Sequence, residues 1–202
     1  MSVYVVDTEC ANIASMLSAL HRLGAEASLG VDGARIARAS QVVVPGVGTF
    51  AAAMNRLREL GLVEPLKSRL AEGRSTLCVC VGFQLLFETS EESPNTFGLG
   101  WLQGQVRRFP ETVRVPQFGW NIIEPSDGAM LFEKGYMYFA NSYYAAEVPN
   151  SMPHVQAHHG VRFVAGIEKG AVLGCQFHPE LSSKNGLSLL KRWLGRSMGA
   201  PC

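Results

Sequence analysis

A strong net charge is absent from this chain of 202 residues. Its 18 basic and 17 acidic residues give a net charge of +1, and the basic residues are scattered along the chain. It therefore lacks the basic surface and the motifs that are typical of nucleic-acid-binding proteins. No apolar run reaches the roughly 20 residues of a membrane-spanning helix. A charged leader before the apolar run at 3–6 is also absent, so we expect no signal peptide and a cytoplasmic protein.

The chain has five cysteines, and neither their number nor their spacing indicates a set of disulfides. They stand at positions 10, 78, 80, 175 and 202, and Cys78 and Cys80 are too close for an ordinary disulfide. Their spacing does not match a metal site, and the phosphate-binding patterns of nucleotide-binding loops are missing. We therefore expect no metal and no cofactor. Most of these cysteines are predicted to be small buried side chains in a reducing cytosol, with Cys202 a free terminal thiol.

The hydrophobic pattern predicts one α/β domain over residues 1–202. Buried strands alternate with helices in the first half, which favours a mostly parallel sheet covered on both faces. Strands separated by turns dominate the second half and indicate an antiparallel extension. The predicted strands are 3–6, 41–44, 75–79, 106–109, 120–123, 137–139, 163–167 and 172–177, and the predicted helices are 13–23, 51–60, 65–73, 82–88 and 187–194.

Cys80 follows a buried strand and precedes Gly82, where an apolar helix is predicted to begin. Such a turn places the sulfur at the carboxyl edge of the sheet, where open α/β sheets bind ligands. The helix N-terminus would stabilise a thiolate, and the Val81 N–H would face an oxygen that becomes negative during a reaction. Without further signals, a buried core cysteine is the favoured explanation of this pattern.

His178 and Glu180 lie two residues apart at the end of a predicted strand. Pro179 keeps the segment extended, and residues i and i+2 of an extended chain point to the same side. The carboxylate can then hold one tautomer of the imidazole, which can activate the thiol of Cys80. The alternative is a turn that carries a polar pair with a structural role.

Two further segments could complete a site around Cys80. The turn Pro45-Gly46-Val47-Gly48 follows a buried strand, and its glycines allow the backbone to approach a ligand closely. It can supply an N–H to an oxyanion hole or serve only as a tight turn. Gln84 lies four residues after Cys80 on the same helical side, where it either recognises a small polar substrate or covers the helix surface.

These segments together resemble the class I (triad) glutamine amidotransferases, and among them the HisH family of glutaminase subunits. The resemblance covers essentially the whole chain in family order and implies the flavodoxin-like fold of that class. The matching segments are 44–50 with 53–54, 80–84, 90–92, 98–100, 116–121, 138–143, 176–180 and 186–187.

The resemblance implies roles for individual residues. Cys80 is the nucleophile that forms a thioester with glutamine, His178 is the general base and acid, and Glu180 orients His178. Val47 and Val81 are the expected oxyanion donors through their N–H groups. The glutamine-binding residues that it implies are Gly46, Val47, Gly48, Val81, Gln84, Asn141, Ser142 and Tyr143.

The resemblance also implies a partner. A chain of this size has no room for a synthase site, so the ammonia must go to a second subunit, which in the HisH family is the (β/α)8-barrel cyclase HisF. The segments that face this barrel contain Pro116, Gln117, Trp120, Asn121 and Tyr138. Aromatic side chains are common anchors at interfaces, and ordinary core packing is the alternative for Trp120 and Tyr138.

Four positions depart from the family pattern. Cys78 and Glu9 stand where glycine is usual, and Gln117 and Asn141 stand where histidine is usual. Cysteine cannot adopt the backbone angles of glycine freely, which affects the nucleophile turn. The triad is intact, but the departures at 117 and 141 leave open a HisH-like glutaminase that serves another synthase, such as a sugar-amidating enzyme. A non-catalytic binding subunit is the alternative from another functional class.

Overall fold

A computed structural model describes residues 2–8 and 12–196 of the chain. The sequence predictions for Glu9, Cys10 and Cys202 lie outside these residues. Within the described ranges, no helix is long and apolar enough to cross a membrane.

The first half forms a parallel sheet with helical connections. Its strands are β1 (Ser2–Val6), β2 (Glu26–Gly30), β3 (Gln41–Val44) and β4 (Thr76–Val79), and its helices are α1 (Ile13–Arg22), α2 (Gly33–Arg38), α3 (Phe50–Glu59), α4 (Val63–Ala71) and the single turn α5 (Val81–Gln84). The sheet order is β2-β1-β3-β4, and all of these pairs are parallel.

The second half extends the sheet with mostly antiparallel strands. These strands are β5 (Thr89–Ser90), β6 (Gln105–Arg108), β7 (Gln117–Pro125), β8 (Gly135–Asn141), β9 (Tyr143–Ala145), β10 (His154–His159), β11 (Val161–Lys169) and β12 (Val172–Cys175). A 3-10 turn (Pro179–Leu181) and helix α6 (Ser183–Arg196) follow. The order continues from β4 as β12-β11-β10-β7-β8, and β12 pairs with β4 in parallel.

Local sequence explains the central elements. Strands β3 and β4 are buried along their whole length, as expected for parallel strands that are covered on both faces. Helix α1 is capped by Asn12, whose Oδ1 accepts a bond from the Ser15 N–H at 3.4 Å. Thr49 caps α3 through the Ala52 N–H at 3.2 Å. The predicted α/β fold with its antiparallel extension is confirmed.

The predicted helix over 82–88 is wrong in length. The helix α5 ends after one turn, because the next carbonyl groups accept bonds from a loop instead of from their own helix. Leu85 O accepts from the Leu99 N–H at 2.7 Å, and Leu86 O accepts from the Leu102 N–H at 2.8 Å. The strands β2, β5, β9 and β10 and the helix α2 were not predicted. Strand β2 lies at the sheet edge and has no fully buried residue.

The pairing of β4 with β12 positions the site. Cys78 pairs with Gly174, and Val79 pairs with Cys175. Because the strands are parallel and in register, their carboxyl ends reach the same edge of the sheet. Cys80 follows the first strand there, and His178 follows the second.

Candidate active site

Cys80 occupies a sharp turn between β4 and α5. Its φ and ψ angles of 54° and −112° lie in a region that residues other than glycine rarely adopt. Among the described non-glycine residues, only Cys80 and Ser183 have a positive φ. The Cys80 N–H donates to the Cys175 carbonyl at 2.7 Å. This bond ties the strained turn to the neighbouring strand, so the surrounding structure maintains the unusual backbone conformation.

The turn at Gly46 packs directly against the turn at Gly82. A β-carbon at position 46 would lie 2.7 Å from the Gly82 nitrogen, and one at position 82 would overlap the Val44 carbonyl oxygen. Both positions therefore require glycine for a close approach of two backbones. This contact brings the strand-β3 turn next to Cys80.

His178 lies between Cys80 and Glu180. Its Nδ1 is 2.9 Å from Glu180 Oε1, and its side chain lines the same cavity as Cys80. The side chains of His178 and Glu180 are only 7% and 4% exposed, so water competes little for this bond. The three side chains named from the sequence thus lie together at one site, with His178 bonded to Glu180 and facing the same cavity as Cys80.

The electrostatics of this site favour a protonated imidazole. Burial on its own lowers the pKa of His178, but the hydrogen bonds to Cys80 and Glu180 and the negative charges of those groups raise it from the ordinary value of 6.5 to about 10. At neutral pH, His178 therefore holds a proton that it can pass to a leaving group.

The main chain around His178 is anchored to β8. The His178 N–H donates to the Tyr138 carbonyl at 2.9 Å. Ser182 Oγ accepts from the Tyr138 N–H at 2.9 Å and donates to the His178 carbonyl at 2.6 Å. Ser182 was not singled out by sequence analysis, yet its buried hydroxyl fixes the backbone on both sides of this contact.

A cavity of about 240 Å³ opens onto Cys80 and His178. Seven of the eight positions predicted to bind glutamine line it, and Gly46 lies behind them against Val81. The lining residues are Val47, Gly48, Cys80, Val81, Gln84, Glu92, Ala140, Asn141, Ser142, Tyr143 and His178. Its walls combine backbone polar groups, carboxamides and one carboxylate, which suits a small polar molecule.

The carboxamides in the wall converge on one carbonyl group. Gln84 Nε2 and Asn141 Nδ2 each donate to the Tyr143 carbonyl at 3.0 Å. Gln84 Nε2 also donates to Gln176 Oε1 at 3.0 Å, which occupies both of its N–H donors. The carbonyl oxygen of the Gln84 side chain is then the atom left to face a substrate.

The two expected oxyanion donors are not both free in this conformation. The Val81 N–H donates to the Gly46 carbonyl at 3.3 Å. That carbonyl and the Val47 N–H belong to the same planar peptide and point in opposite directions. The Val47 N–H therefore points away from Val81, and a rotation of this peptide would release both donors toward the cavity.

Glu92 is the carboxylate of the cavity, and sequence analysis gave it no role. Its Oε2 accepts a bond from the Phe50 N–H at 2.6 Å, which holds the side chain at the start of α3. The segment 90–92 was noted only as a match to the family. An acidic residue in a polar loop carries no periodic signal, so only its placement against Cys80 reveals it.

The predicted interface residues lie on both faces of the ribbon formed by strands β7 and β8. Trp120 pairs with Tyr138 on the outer face, where Phe118 and Trp120 are 73% and 54% exposed. Gln117 is only 5% exposed and pairs with the buried Asn141. The Gln117 side chain therefore lies on the opposite face from Phe118 and Trp120, because side chains alternate along a strand, and its predicted contact with a partner stays a prediction.

Cys78 shows how the chain accommodates a cysteine where glycine is usual. It lies inside β4 with ordinary strand geometry, and the special backbone angles belong to Cys80. Burial raises the pKa of the Cys78 thiol to about 12, although the charge of Arg69 lowers it slightly. Cys78 is therefore a neutral core residue, and Cys175 is buried as well, as predicted.

Comparison with known proteins agrees with this geometry. The family of class-I glutamine amidotransferases matches residues 6–195, and the chain belongs to this family. Its fold is that of solved members: a glutamine amidotransferase superposes with a TM-score of 0.77 at 22% identity over 97% of this chain and 99% of that one. The PurLQS structure from Thermotoga maritima gives 0.70 at 18% identity over 96% and 97%.

Curated relatives are more similar in sequence than these solved structures. The chain is 38% identical to the imidazole glycerol phosphate synthase subunit HisH of Streptococcus sanguinis, over 94% of this chain and 93% of that protein. It is 38% identical to the HisH subunit of Geobacillus thermodenitrificans, over 95% and 94%. The HisH subunit of Chlorobaculum tepidum is 36% identical over 95% and 98%.

Proposed function

We propose that this chain is the glutaminase subunit of an imidazole glycerol phosphate synthase. The observation that carries the proposal is the placement of Cys80 and His178 in one small polar cavity, with Glu180 hydrogen-bonded to His178. Membership of the amidotransferase family and similarity to HisH subunits over nearly the whole chain support it.

The proposed reaction has two halves. His178 accepts the proton of the Cys80 thiol before the attack, and the resulting thiolate attacks the side-chain carbonyl carbon of glutamine. His178 then protonates the nitrogen as the C–N bond breaks, which releases ammonia and leaves a γ-glutamyl thioester. His178 next takes a proton from water, the hydroxide attacks the thioester, and the C–S bond breaks to give glutamate.

The cavity also contains groups for the other end of glutamine. Glutamine carries an α-ammonium group, and Glu92 is the carboxylate that lines the cavity. A charge-assisted hydrogen bond between them would fix the substrate at a distance from the reacting amide. Such a contact contributes to binding in the ground state and in the transition state alike.

We expect Glu92→Gln to raise the KM for glutamine by about tenfold or more, with a smaller effect on kcat. The substitution removes the charge but keeps an oxygen that can accept from the Phe50 N–H, so the fold should persist. Steady-state glutaminase kinetics measure both constants.

Glu91→Gln is the matched control for Glu92→Gln. Glu91 is the neighbouring residue and also accepts a backbone bond, from the Arg108 N–H at 2.8 Å, but it does not line the cavity. Its KM should stay at the wild-type value. An unchanged KM in both variants would contradict the role of Glu92.

A barrel cyclase of the HisF type is the proposed partner. The outer face of β7 and β8 presents Phe118, Trp120 and Tyr136 at 73%, 54% and 59% exposure. Tyr138 lies between the first two, with ring centroids 5.8 and 5.9 Å away. Exposed aromatic clusters are typical of protein interfaces, and the Tyr138 carbonyl also holds the His178 main chain.

Ammonia made in this site must reach the synthase before it meets bulk water, where it becomes ammonium and loses its nucleophilic electron pair. In the proposed complex the cyclase uses it to convert PRFAR to imidazole glycerol phosphate and AICAR. The peptide between Gly46 and Val47 leaves both oxyanion donors unavailable in the isolated chain. Docking of the cyclase is proposed to favour the rotated peptide.

The experiment is a glutaminase assay of the purified chain with and without a barrel cyclase and its ligand. We expect slow glutamate release from the chain alone and an increase of about a hundredfold or more in the complex, since one oxyanion donor contributes that much in rate. Absence of activation by the cyclase, together with activation by a sugar-amidating synthase, would favour the second candidate. Absence of glutaminase activity under every condition would leave a binding subunit.

A further inference from the structure

Gln176 is a buried polar side chain beside the nucleophile, and the reaction steps above give it no role. It is 0% exposed, and its Nε2 lies 3.8 Å from Cys80 Sγ. Burying a carboxamide is unfavourable unless its polar atoms are bonded. The bonds that Gln176 makes therefore indicate why it is there.

Two hydrogen bonds fix which end of the Gln176 carboxamide faces the sulfur. The Tyr143 main-chain carbonyl can only accept, so Gln84 must direct its amino group toward it, at 3.0 Å. The same amino group lies 3.0 Å from Gln176 Oε1, which accepts its second N–H. The amino group of Gln176 is then the end that points toward Cys80.

We propose that Gln176 donates a hydrogen bond to the sulfur of Cys80 and stabilises its thiolate, and that Gln84 is the positioning residue that holds Gln176 in this orientation. The inference rests on the proposed function, whose nucleophile it concerns. A donor to an ionised sulfur favours the charged form. The thiolate then faces His178 in the cavity and receives a bond from Gln176.

Several ionisable groups surround Cys80 and act on it as well. They are His178 and Glu180 after β12, Glu92 after β5, Tyr143 in β9, and the buried thiols Cys78 and Cys175 on the adjacent strands. They remain in place when only position 176 is changed. The contribution of Gln176 is therefore the difference in Cys80 alkylation between the wild type and the Gln176 variants over the same pH range.

We expect Gln176→Met to slow alkylation of Cys80 by iodoacetamide at neutral pH by about tenfold and to move its pH profile to higher pH. Methionine has a similar length but offers no N–H. Gln176→Glu keeps an acceptor for Gln84 and puts a negative charge near the sulfur, so its shift should be larger. Mass spectrometry of the Cys80 peptide follows the reaction, and kcat for glutamine should fall while KM stays.

Gln41→Met is the matched control. Gln41 is also buried, at 1% exposure, and its Nε2 donates to the Trp193 carbonyl at 3.3 Å. This variant should lose stability but keep the wild-type alkylation profile. Wild-type profiles in both Gln176 variants would overturn the proposal even if glutaminase activity were normal. A wild-type chain without glutaminase activity would instead refute the proposed function, because alkylation needs no glutamine.

A second test leaves residue 176 unchanged. In the isotope-labelled wild-type protein, the NMR signals of the Gln176 side-chain amide should move downfield as the pH rises. The midpoint of this shift should fall at the same pH as the midpoint of the Cys80 alkylation profile. In Cys80→Ala they should stay fixed. Signals that ignore the ionisation of Cys80 in the wild type would overturn the proposal, whether or not the Gln176 variants fold.

Discussion

Cys80→Ala is expected to lower the rate of glutamine hydrolysis by a factor of about 10⁴ or more, to the detection limit. Loss of the nucleophile removes the covalent route, and the remaining triad groups cannot replace it. The variant should still bind the cyclase, because Cys80 is 4% exposed and its cavity is lined by none of the exposed aromatic residues of β7 and β8. Glutamate release and co-elution with the cyclase measure the two properties separately.

The same complex offers a positive readout. With an ammonium salt at alkaline pH, free ammonia can reach the cyclase without a glutaminase, so Cys80→Ala should support product formation that no longer depends on glutamine. A variant that loses this ammonia-dependent reaction as well has lost its partner or its fold. Normal glutamate release by Cys80→Ala would reject Cys80 as the nucleophile.

Cys78→Ala is the matched control, two residues earlier on the same strand. Both cysteines are buried, but the Cys78 thiol has a pKa raised to about 12 by burial and does not line the cavity. Removing one buried sulfur should lower the free energy of unfolding by about 1–2 kcal/mol. Glutaminase activity should remain near the wild-type value.

The sequence predicts the parts of this molecule that depend on burial and strand order. The apolar runs at 3–6, 41–44 and 75–79 form central strands, because a buried parallel strand needs continuous hydrophobic residues. The convergence of Cys80 with His178 follows from two parallel strands that end at one edge. Both outcomes depend on burial and strand order, which the hydrophobic pattern of the sequence records.

Other parts depend on contacts between distant segments, which a local pattern does not record. Helix α5 stops after one turn because a loop near Leu99 takes its carbonyl groups. Glu92 enters the cavity through its bond to the Phe50 N–H. The role inferred for Gln176 depends on the amide orientation of Gln84, and Gln117 faces inward only because of its register with Asn141.

Glu180→Gln is expected to reduce kcat by about a thousandfold or more, the range found when the carboxylate of a Ser-His-Asp triad is made neutral. Glutamine at 180 keeps the shape of glutamate but can present its NH2 group to His178 Nδ1, which favours the wrong tautomer. It also removes a negative charge 2.9 Å from the ring. Steady-state kinetics in the presence of the cyclase measure the loss.

The pH dependence of this variant should shift in a defined direction. In the wild type, burial lowers the pKa of His178, and the bonds and charges of Cys80 and Glu180 raise it to about 10. Without the charge at 180 the pKa of His178 must fall. The alkaline limb of the activity profile, where the imidazolium is lost, should therefore move to lower pH than in the wild type.

Protein stability should show the same linkage. A folded-state pKa above the ordinary value of 6.5 means that the native protein holds the His178 proton more tightly than the unfolded chain does. This contribution is complete below about pH 6.5 and is lost as the pH rises to about 10. The difference in free energy of unfolding between wild type and Glu180→Gln should therefore shrink over that interval.

Glu168→Gln separates this linkage from the general effect of losing a buried carboxylate. Glu168 is 3% exposed, accepts from the Leu131 N–H at 2.7 Å and pairs with Arg196 at 3.1 Å, but it does not line the catalytic cavity. This variant should lose stability and keep the wild-type pH profile of activity. If Glu180→Gln also kept that profile, Glu180 would not set the protonation of His178, and its bond to the ring would serve packing alone.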